Sequence, residues 1–335
     1  MITIDDVGIV GISCTVPAKK INNVDLAPHY GEEETNKLIS SVGVDTRHIS
    51  DENITSADLC YSAAKQLLAK MGWSADSVGA LIFVSQTSEY QLPTTACILQ
   101  SKLGLPTSAL AFDVNLGCSG FVYGLYLAST ISKSGVGRVL LLVGDTISKL
   151  VKPGDRSTEF LFGDAGSATA IEKQEGQSIM FDLGSDGSGY EHIIARKPID
   201  NSGTIRGVRS AYLEMNGAEV FAFTLKFIPA LIKNMLESLS LASSDIDACV
   251  YHQANRFMLK HLAKKSKFSM EQVPLSIMDY GNTSGVSIPI TLCSQSIPLK
   301  SKVLLVGFGV GLSWGAVFCN LNKTIFLPVC EINID

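Results

Sequence analysis

RVLLLVG at residues 138–144 returns as KVLLVG at 302–307, about half a chain length later. A second pair keeps nearly the same separation: ALIFVS at 80–85 and ACVY at 248–251. Such uninterrupted apolar runs suit strands covered on both faces rather than strands with one wet side. Helical patterns fill the gaps between them. TSADLCYSAAKQLLAKM (55–71) has Thr55 as an N-cap, Asp58 three residues on, and Gly72 past its end. Further helices are expected over 118–134, 217–239 and 284–297. Strands alternating with helices indicate a layered α/β fold, and the echo divides the chain into two related halves. Duplication brings equivalent strand ends together, and ligands of such sheets bind beyond the carboxyl ends of the strands.

The totals narrow the function classes. Of 335 residues, 46% are hydrophobic and 18% charged, with a net charge of −5 and no basic block. Nothing in that balance suits nucleic acid. The opening stretch, MITIDDVGIVGISCTVP, carries acids where a signal peptide is basic. No segment approaches the ~18 apolar residues of a membrane span. The expectation is a soluble cytoplasmic protein without a membrane partner. The eight cysteines, at 14, 60, 97, 118, 249, 293, 319 and 330, form no C-x-x-C pair and no cluster with histidine. A zinc site and a secreted disulfide framework are both rejected, and no metal is expected. Seven of the eight read as small core residues.

Cys118 differs from the others. In NLGCSGFVYGL (115–125) it stands between Gly117 and Gly120 where a helix begins. It is either one more buried apolar residue or a nucleophile whose pKa the helix terminus lowers below ~8.5. Two further polar stretches follow apolar runs: YHQAN, with His252 and Asn255, and GNTSG, with Asn282. A thiol can attack a carbonyl, while a neutral imidazole and a carboxamide offer donors to an enolate or oxyanion. Aspartate at 282 would repel that anion. Taken singly, each of the three has a structural role as its alternative. His48 and His261 read as packing or surface residues, and Asn255 as a helix cap or a site residue. VGFGVGLSWG (306–315) adds a glycine turn in which Gly309 could join the N–H of Cys118 as an oxyanion hole. A dinucleotide loop is rejected there, since the sixth-position glycine is missing and a strand follows.

Nearly the whole chain resembles the β-ketoacyl-acyl carrier protein synthase III family of the thiolase-like superfamily. The resemblance rests on VGIVGISCTVP, TRHI, LPTTACILQSKLG, AFDVNLGCSGF, VGD, PGDRST, FGDAGSA, MNGAEVF, HQAN, GNTSGVSIP and FGVGLSWG, in that order. It implies a five-layer α-β-α-β-α fold with two mixed sheets, divided into halves 1–172 and 173–335, and usually a homodimer. It implies no cofactor. Cys118 would hold an acyl group as a thioester. His252 and Asn282 would promote decarboxylation of malonyl-acyl carrier protein and stabilise the enolate. The product would be a 3-oxoacyl thioester, with Gly309 giving one oxyanion N–H. Leu92, ahead of the P-T-T stretch, would reach the partner's acyl pocket; core packing is its other reading.

Departures from the family pattern bear on substrate binding. The donor would be an acyl-coenzyme A or an acyl-carrier protein. Lys37 and Ser41 stand where coenzyme A-primed members commonly have tryptophan and arginine. Arg156 of PGDRST keeps one family contact. Without the full clamp on the nucleotide, a carrier-bound donor gains weight. Phe257 replaces the basic residue usual after HQAN, so docking of an acidic carrier would fall to Lys260, Lys264 and Lys265, unless these form only a solvated helix face. Leu116-Gly117 replaces a pair of small residues, and Asn322–Asp335 extends past the family's usual end. Three other functions compete with condensation. Acyl transfer to an alcohol or amine would release no carbon dioxide, a Cys-His-Asn hydrolase would release free acid, and a scaffold would form no acyl adduct.

Overall fold

The echoing apolar runs fold as equivalent strands. The computed structural model describes residues 1–196, 212–297 and 300–333. Its main sheet comprises β1 (Ile2–Pro17), β2 (Val78–Val84), β3 (Leu110–Val114), β4 (Arg138–Asp145), β5 (Ala165–Ser185), β6 (Ala248–Tyr251), β7 (Val303–Gly309), β8 (Ser313–Cys319), β9 (Ile325–Phe326) and β10 (Cys330–Ile332). The principal helices are α1 (Ser56–Met71), α2 (Thr95–Lys102), α3 (Gly120–Ile131), α4 (Gly217–Ser238), α5 (Arg256–Lys265) and α6 (Ser287–Ser294).

The pairing order repeats. Strands β2 and β4 run parallel, with β5 and then β1 added antiparallel. Strands β6 and β7 run parallel, with β8 and then β5 added antiparallel. Strand β3 extends the first row, parallel to β2. Because β5 is 21 residues long, it serves both rows: Ala165–Ile171 pair with β4 and Met180–Ser185 with β8. The two expected sheets are therefore joined in one ten-stranded hydrogen-bonded network, and residues 172 and 173 lie in the middle of a strand.

Residue parity explains the unbroken apolar runs, since successive side chains leave opposite faces of a strand. Ala80, Ile82 and Val84 of β2 and Ala248 and Val250 of β6 share one core with Phe121, Val122 and Leu125 of α3 and Ile288, Ile290 and Leu292 of α6. Leu81 and Phe83 point the other way, into a core with Cys60, Ala63 and Leu67 of α1 and Leu99 of α2. Cys249 and Tyr251 point into a third core with α4 and α5. Helices α3 and α6 thus lie between the two strand rows, giving five layers. Burying each large apolar side chain of that centre contributes about 1.5–3 kcal/mol. Helix α3 can sit close because Gly124 has no side chain: a Cβ there would lie 2.8 Å from Cδ1 of Leu141.

Local signals in the sequence account for most boundaries. Thr55 accepts from the Asp58 N–H while the Asp58 side chain accepts from the Thr55 N–H, and left-handed Gly72 closes α1. Two helices are shorter than expected. Helix α3 begins at Gly120, so Cys118 lies in the preceding turn, where the Gly120 N–H donates to the Gly117 carbonyl at 2.6 Å. Helix α6 begins only at Ser287, because Ser284, at φ 52°, holds a left-handed turn ahead of it. Cys97 is an exception to the core reading of the cysteines: it is exposed on α2. The C-terminal stretch covers an edge. Strands β9 and β10 pair in parallel with β1, at Gly11–Ile12 and Thr15–Pro17, which leaves that edge less available for pairing with another chain.

Candidate active site

Three of the candidate groups sit where a strand of one row ends. Cys118 follows β3, His252 follows β6, and Gly309 ends β7. Asn282 enters from a loop after a helical turn, Ile277–Tyr280. Its N–H donates to the Leu161 carbonyl at 2.8 Å and its carbonyl accepts from the Gly163 N–H at 3.1 Å. Those main-chain bonds fix the loop against the segment just before β5. Cys118, His252, Asn282, Asn255 and Gly309 all line one cavity of about 510 Å³. The two halves also meet through the hydroxyls of Ser119 and Ser313, 2.7 Å apart beside the thiol.

The side chains are aimed by specific partners. Nδ1 of His252 lies 3.1 Å from the Ser284 carbonyl and 2.8 Å from the Ser287 hydroxyl. That hydroxyl itself donates to the Ser284 carbonyl at 2.9 Å. A carbonyl only accepts, so these partners assign the proton to Nδ1, and Nε2 carries the lone pair. A neutral His252 thus offers the cavity an acceptor, where the sequence reading expected a donor. It becomes a donor only after taking a proton. Asn282 is set the opposite way: its Oδ1 accepts the Ser284 N–H at 3.0 Å, and its Nδ2 lies 3.4 Å from the Ala254 carbonyl. With Oδ1 occupied, the group left to serve a ligand is N–H. Asn255 both lines the cavity and caps α5, its Oδ1 accepting the Met258 N–H at 2.7 Å.

Burial sets the charge states. It pushes the Cys118 thiol up to about 11, with the Asp145 carboxylate adding to the rise; hydrogen bonds from the Val310 N–H, the Ser284 hydroxyl and its own N–H act the other way. The half-buried thiol is therefore raised rather than lowered as the helix start suggested, because desolvation outweighs the hydrogen bonds that act the other way. Burial also takes His252 down to about 4. At rest a thiol and a neutral imidazole thus line the same cavity. Two neighbours stand out that the sequence reading did not single out. Asp145, at the end of β4, is buried, and its Oδ1 accepts from Ser85 Oγ at 3.2 Å, Gln86 N–H at 2.8 Å and Thr87 Oγ1 at 3.1 Å. Ser284 is the other. Its left-handed backbone costs roughly 1–2 kcal/mol. An acid closing an apolar strand and a serine after Asn-Thr were the only clues.

The cavity wall is largely apolar, formed by Ile147, Leu161, Phe162, Leu213, Val220 and Met258 among others. Three expected binding residues lie outside it. Leu92 is 84% exposed, so core packing is excluded. Arg156 pairs with Glu34 at 3.4 Å and stands over the Tyr30 ring. Phe257 is 53% exposed, in a cluster with Phe221 and His261 on the outer surface. His261 is a surface residue of that cluster. His48 is a packing residue, its Nδ1 2.7 Å from the Pro17 carbonyl and its ring stacked on Tyr280.

Comparison with known proteins decides the family. Residues 112–187 match the family model of 3-oxoacyl-[acyl-carrier-protein (ACP)] synthase III, and residues 236–321 match its C-terminal model. The beta-ketoacyl-[acyl-carrier-protein] synthase III of Clostridium perfringens is 34% identical, over 93% of this chain and 98% of that protein. The chain belongs to the 3-oxoacyl-[acyl-carrier-protein] synthase III family. The Neisseria meningitidis synthase III is also 34% identical, over 92% of this chain and 97% of its own. The crystal structure of a 3-oxoacyl-(acyl-carrier protein) synthase from Burkholderia xenovorans LB400 superposes with a TM-score of 0.92 at 40% identity, covering 99% of this chain and 98% of that one. Thus the family's α/β thiolase-like fold spans the whole chain, and the cavity described above lies in its midst.

Proposed function

We propose that the protein is an acyltransferase that condenses a Cys118-bound acyl group with malonyl-acyl carrier protein, releasing carbon dioxide and giving a 3-oxoacyl thioester. The observation that carries this reading is the setting of Asn282. Its oxygen is committed to the Ser284 N–H, so an amide donor remains for an enolate beside the nucleophile. Transfer to an alcohol or amine needs no such donor, which disfavours that alternative.

The chemistry divides into two stages. In the first, the Cys118 thiol gives its proton to Nε2 of His252, and the sulfur attacks the donor's thioester carbonyl. The tetrahedral oxyanion is held by N–H groups at Gly309 and Cys118. As the old C–S bond breaks, the leaving thiolate takes the proton from Nε2, which leaves the imidazole neutral for the next stage. In the second, the malonyl C–C bond to the carboxylate breaks and carbon dioxide departs. Its electron pair becomes an enolate at the thioester oxygen, which the Asn282 N–H stabilises. The enolate carbon attacks the acyl carbonyl, the Cys118 thiolate leaves, and it takes up one proton from solvent water, which balances the loss of the malonyl carboxylate as carbon dioxide.

The same reading extends to partners. Arg156 is engaged by Glu34, and Lys37 and Ser41 lie exposed on the helix Glu32–Val42; this supports a carrier-protein donor over coenzyme A. Arg256, Lys260, Lys264 and Lys265 are exposed on α5, the helix whose start borders the cavity, and suit an acidic carrier. The exposure of Leu92 supports a homodimer in which this residue meets the partner's acyl site, and a cytoplasmic location belongs to the same proposal. The units of duplication proposed are 1–172 and 173–335. Carboxyl-labelled malonyl-acyl carrier protein, supplied with an acyl donor, tests the reading. Release of labelled carbon dioxide and a 3-oxoacyl product supports it, and acyl transfer without either overturns it.

A further inference from the structure

Two carboxamides of the cavity have no task in the chemistry above. Strands β2 and β3 run parallel in register as far as Val84 and Val114, and the Ser85 N–H continues the pairing onto the Val114 carbonyl at 3.1 Å. The two chains therefore leave the sheet side by side, and both Gln86 and Asn115 enter the wall of the cavity that holds Cys118. Gln86 is the less exposed of the two. Its main chain is tied down, with the N–H donating to Asp145 Oδ1 at 2.8 Å. Its head group lies against the turn that carries the nucleophile. A Cβ on Gly117 would overlap Gln86 Oε1 and stand 3.0 Å from its Cδ, so this glycine leaves the room that the amide occupies. Among the described residues, neither side chain has a hydrogen-bond partner in the protein.

We infer that Gln86 selects an acyl group bearing a neutral oxygen, a hydroxyl or an oxo group, within a few carbons of its thioester. The rest of the wall is mostly aliphatic and aromatic, and in the open cavity solvent can bond to the amide. A plain alkyl chain displaces that solvent and leaves the amide unpaired, a cost that contact with hydrocarbon does not return. An oxygen on the chain restores the lost bond. A carboxamide has both donors and an acceptor, so it serves a hydroxyl or an oxo group whichever way it is turned. A carboxylate fits less well, because the Asp145 carboxyl lies behind Gln86 and like charges repel. Asn115 adds a second polar group to the same wall.

The inference rests on Cys118 being the acylated residue, and its test stops at that stage. Pantetheine thioesters of hexanoate, 3-hydroxyhexanoate and 5-oxohexanoate are supplied separately, and intact-mass kinetics follows the adduct on Cys118. The wild type should take up at least one oxygenated donor about tenfold faster than the hexanoyl thioester. Gln86→Leu, which keeps a similar volume, should abolish or reverse that ratio. Each ratio is read within one variant, so any loss of folded protein cancels. Equal or faster uptake of the hexanoyl group by the wild type overturns the inference, as does an unchanged ratio in Gln86→Leu. Absence of any adduct overturns it together with the Cys118 thioester. Failure to release carbon dioxide in the malonyl assay, with the ratios as expected, overturns condensation alone.

Discussion

Gly309 lies against the nucleophile: a Cβ on this residue would sit 2.9 Å from Sγ of Cys118 and 2.5 Å from its Cβ. The backbone there, at φ 157°, also falls at the edge of a region that favours glycine. The close approach lets the strand end of one half present N–H groups to the sulfur carried by the other.

Gly309→Ala should therefore disable acylation before it disturbs the fold. The added methyl must displace the thiol or the turn, at a cost of about 1–3 kcal/mol. The expected loss in acyl-Cys118 formation is about 100-fold or more, because a displaced oxyanion site forfeits an effect of this size. Intact-mass kinetics measures the adduct and urea unfolding measures the stability. Near-normal acylation would mean that the turn contributes nothing to the reaction.

Asn282→Asp separates the two stages. The substitution replaces the amide donor by an oxygen and adds a negative charge where the enolate forms. Acyl-Cys118 should still accumulate, while carbon dioxide release falls by about 10²–10³. Loss of both stages together would assign Asn282 to the architecture of the loop, given that its main chain bonds to Leu161 and Gly163.

The sequence disclosed the fold more fully than the chemistry. The β2/β6 and β4/β7 echoes were legible because strands covered on both faces leave unbroken apolar runs. Thr55 and Asp58 were legible because a capping box is a contact over three residues. Charge and tautomer were not. The proton on His252 is set by a carbonyl 32 residues away in sequence, and the thiol pKa by burial among segments from both halves. Asp145 closes an apolar strand like any polar residue, and only its approach to Cys118 gives it meaning. The exposure of Cys97 and Leu92 likewise depends on what fails to pack against them, which no local spacing records.

His252 should make the protein sensitive to acid. Burial places its folded-state pKa at about 4, below the usual 6.5. The unfolded chain therefore binds the proton more readily, so stability is full above pH 6.5 and declines as pH falls toward 4. Between pH 7 and 5 the loss from this group is about 2 kcal/mol. Urea unfolding of the wild type and His252→Gln at both pH values isolates it, since other buried groups are common to the two. The variant should lose less stability over that interval by about this amount; an identical loss would contradict a buried, neutral imidazole.

Charge reversal on α5 should act on the carrier protein specifically. Lys260 and Lys264 are exposed one turn apart, on the helix whose first turn borders the cavity, and neither makes an ion pair among the described residues. Surface charges of this kind steer association more than they hold a complex. Lys260→Glu with Lys264→Glu should raise KM for malonyl-acyl carrier protein about tenfold, or ~1.4 kcal/mol, with a smaller effect on kcat. Added salt should narrow the gap between variant and wild type, since screening weakens attraction and repulsion alike. A malonyl thioester of pantetheine, lacking the protein surface, should respond much less. Equal penalties for both substrates would move the carrier's docking surface off α5.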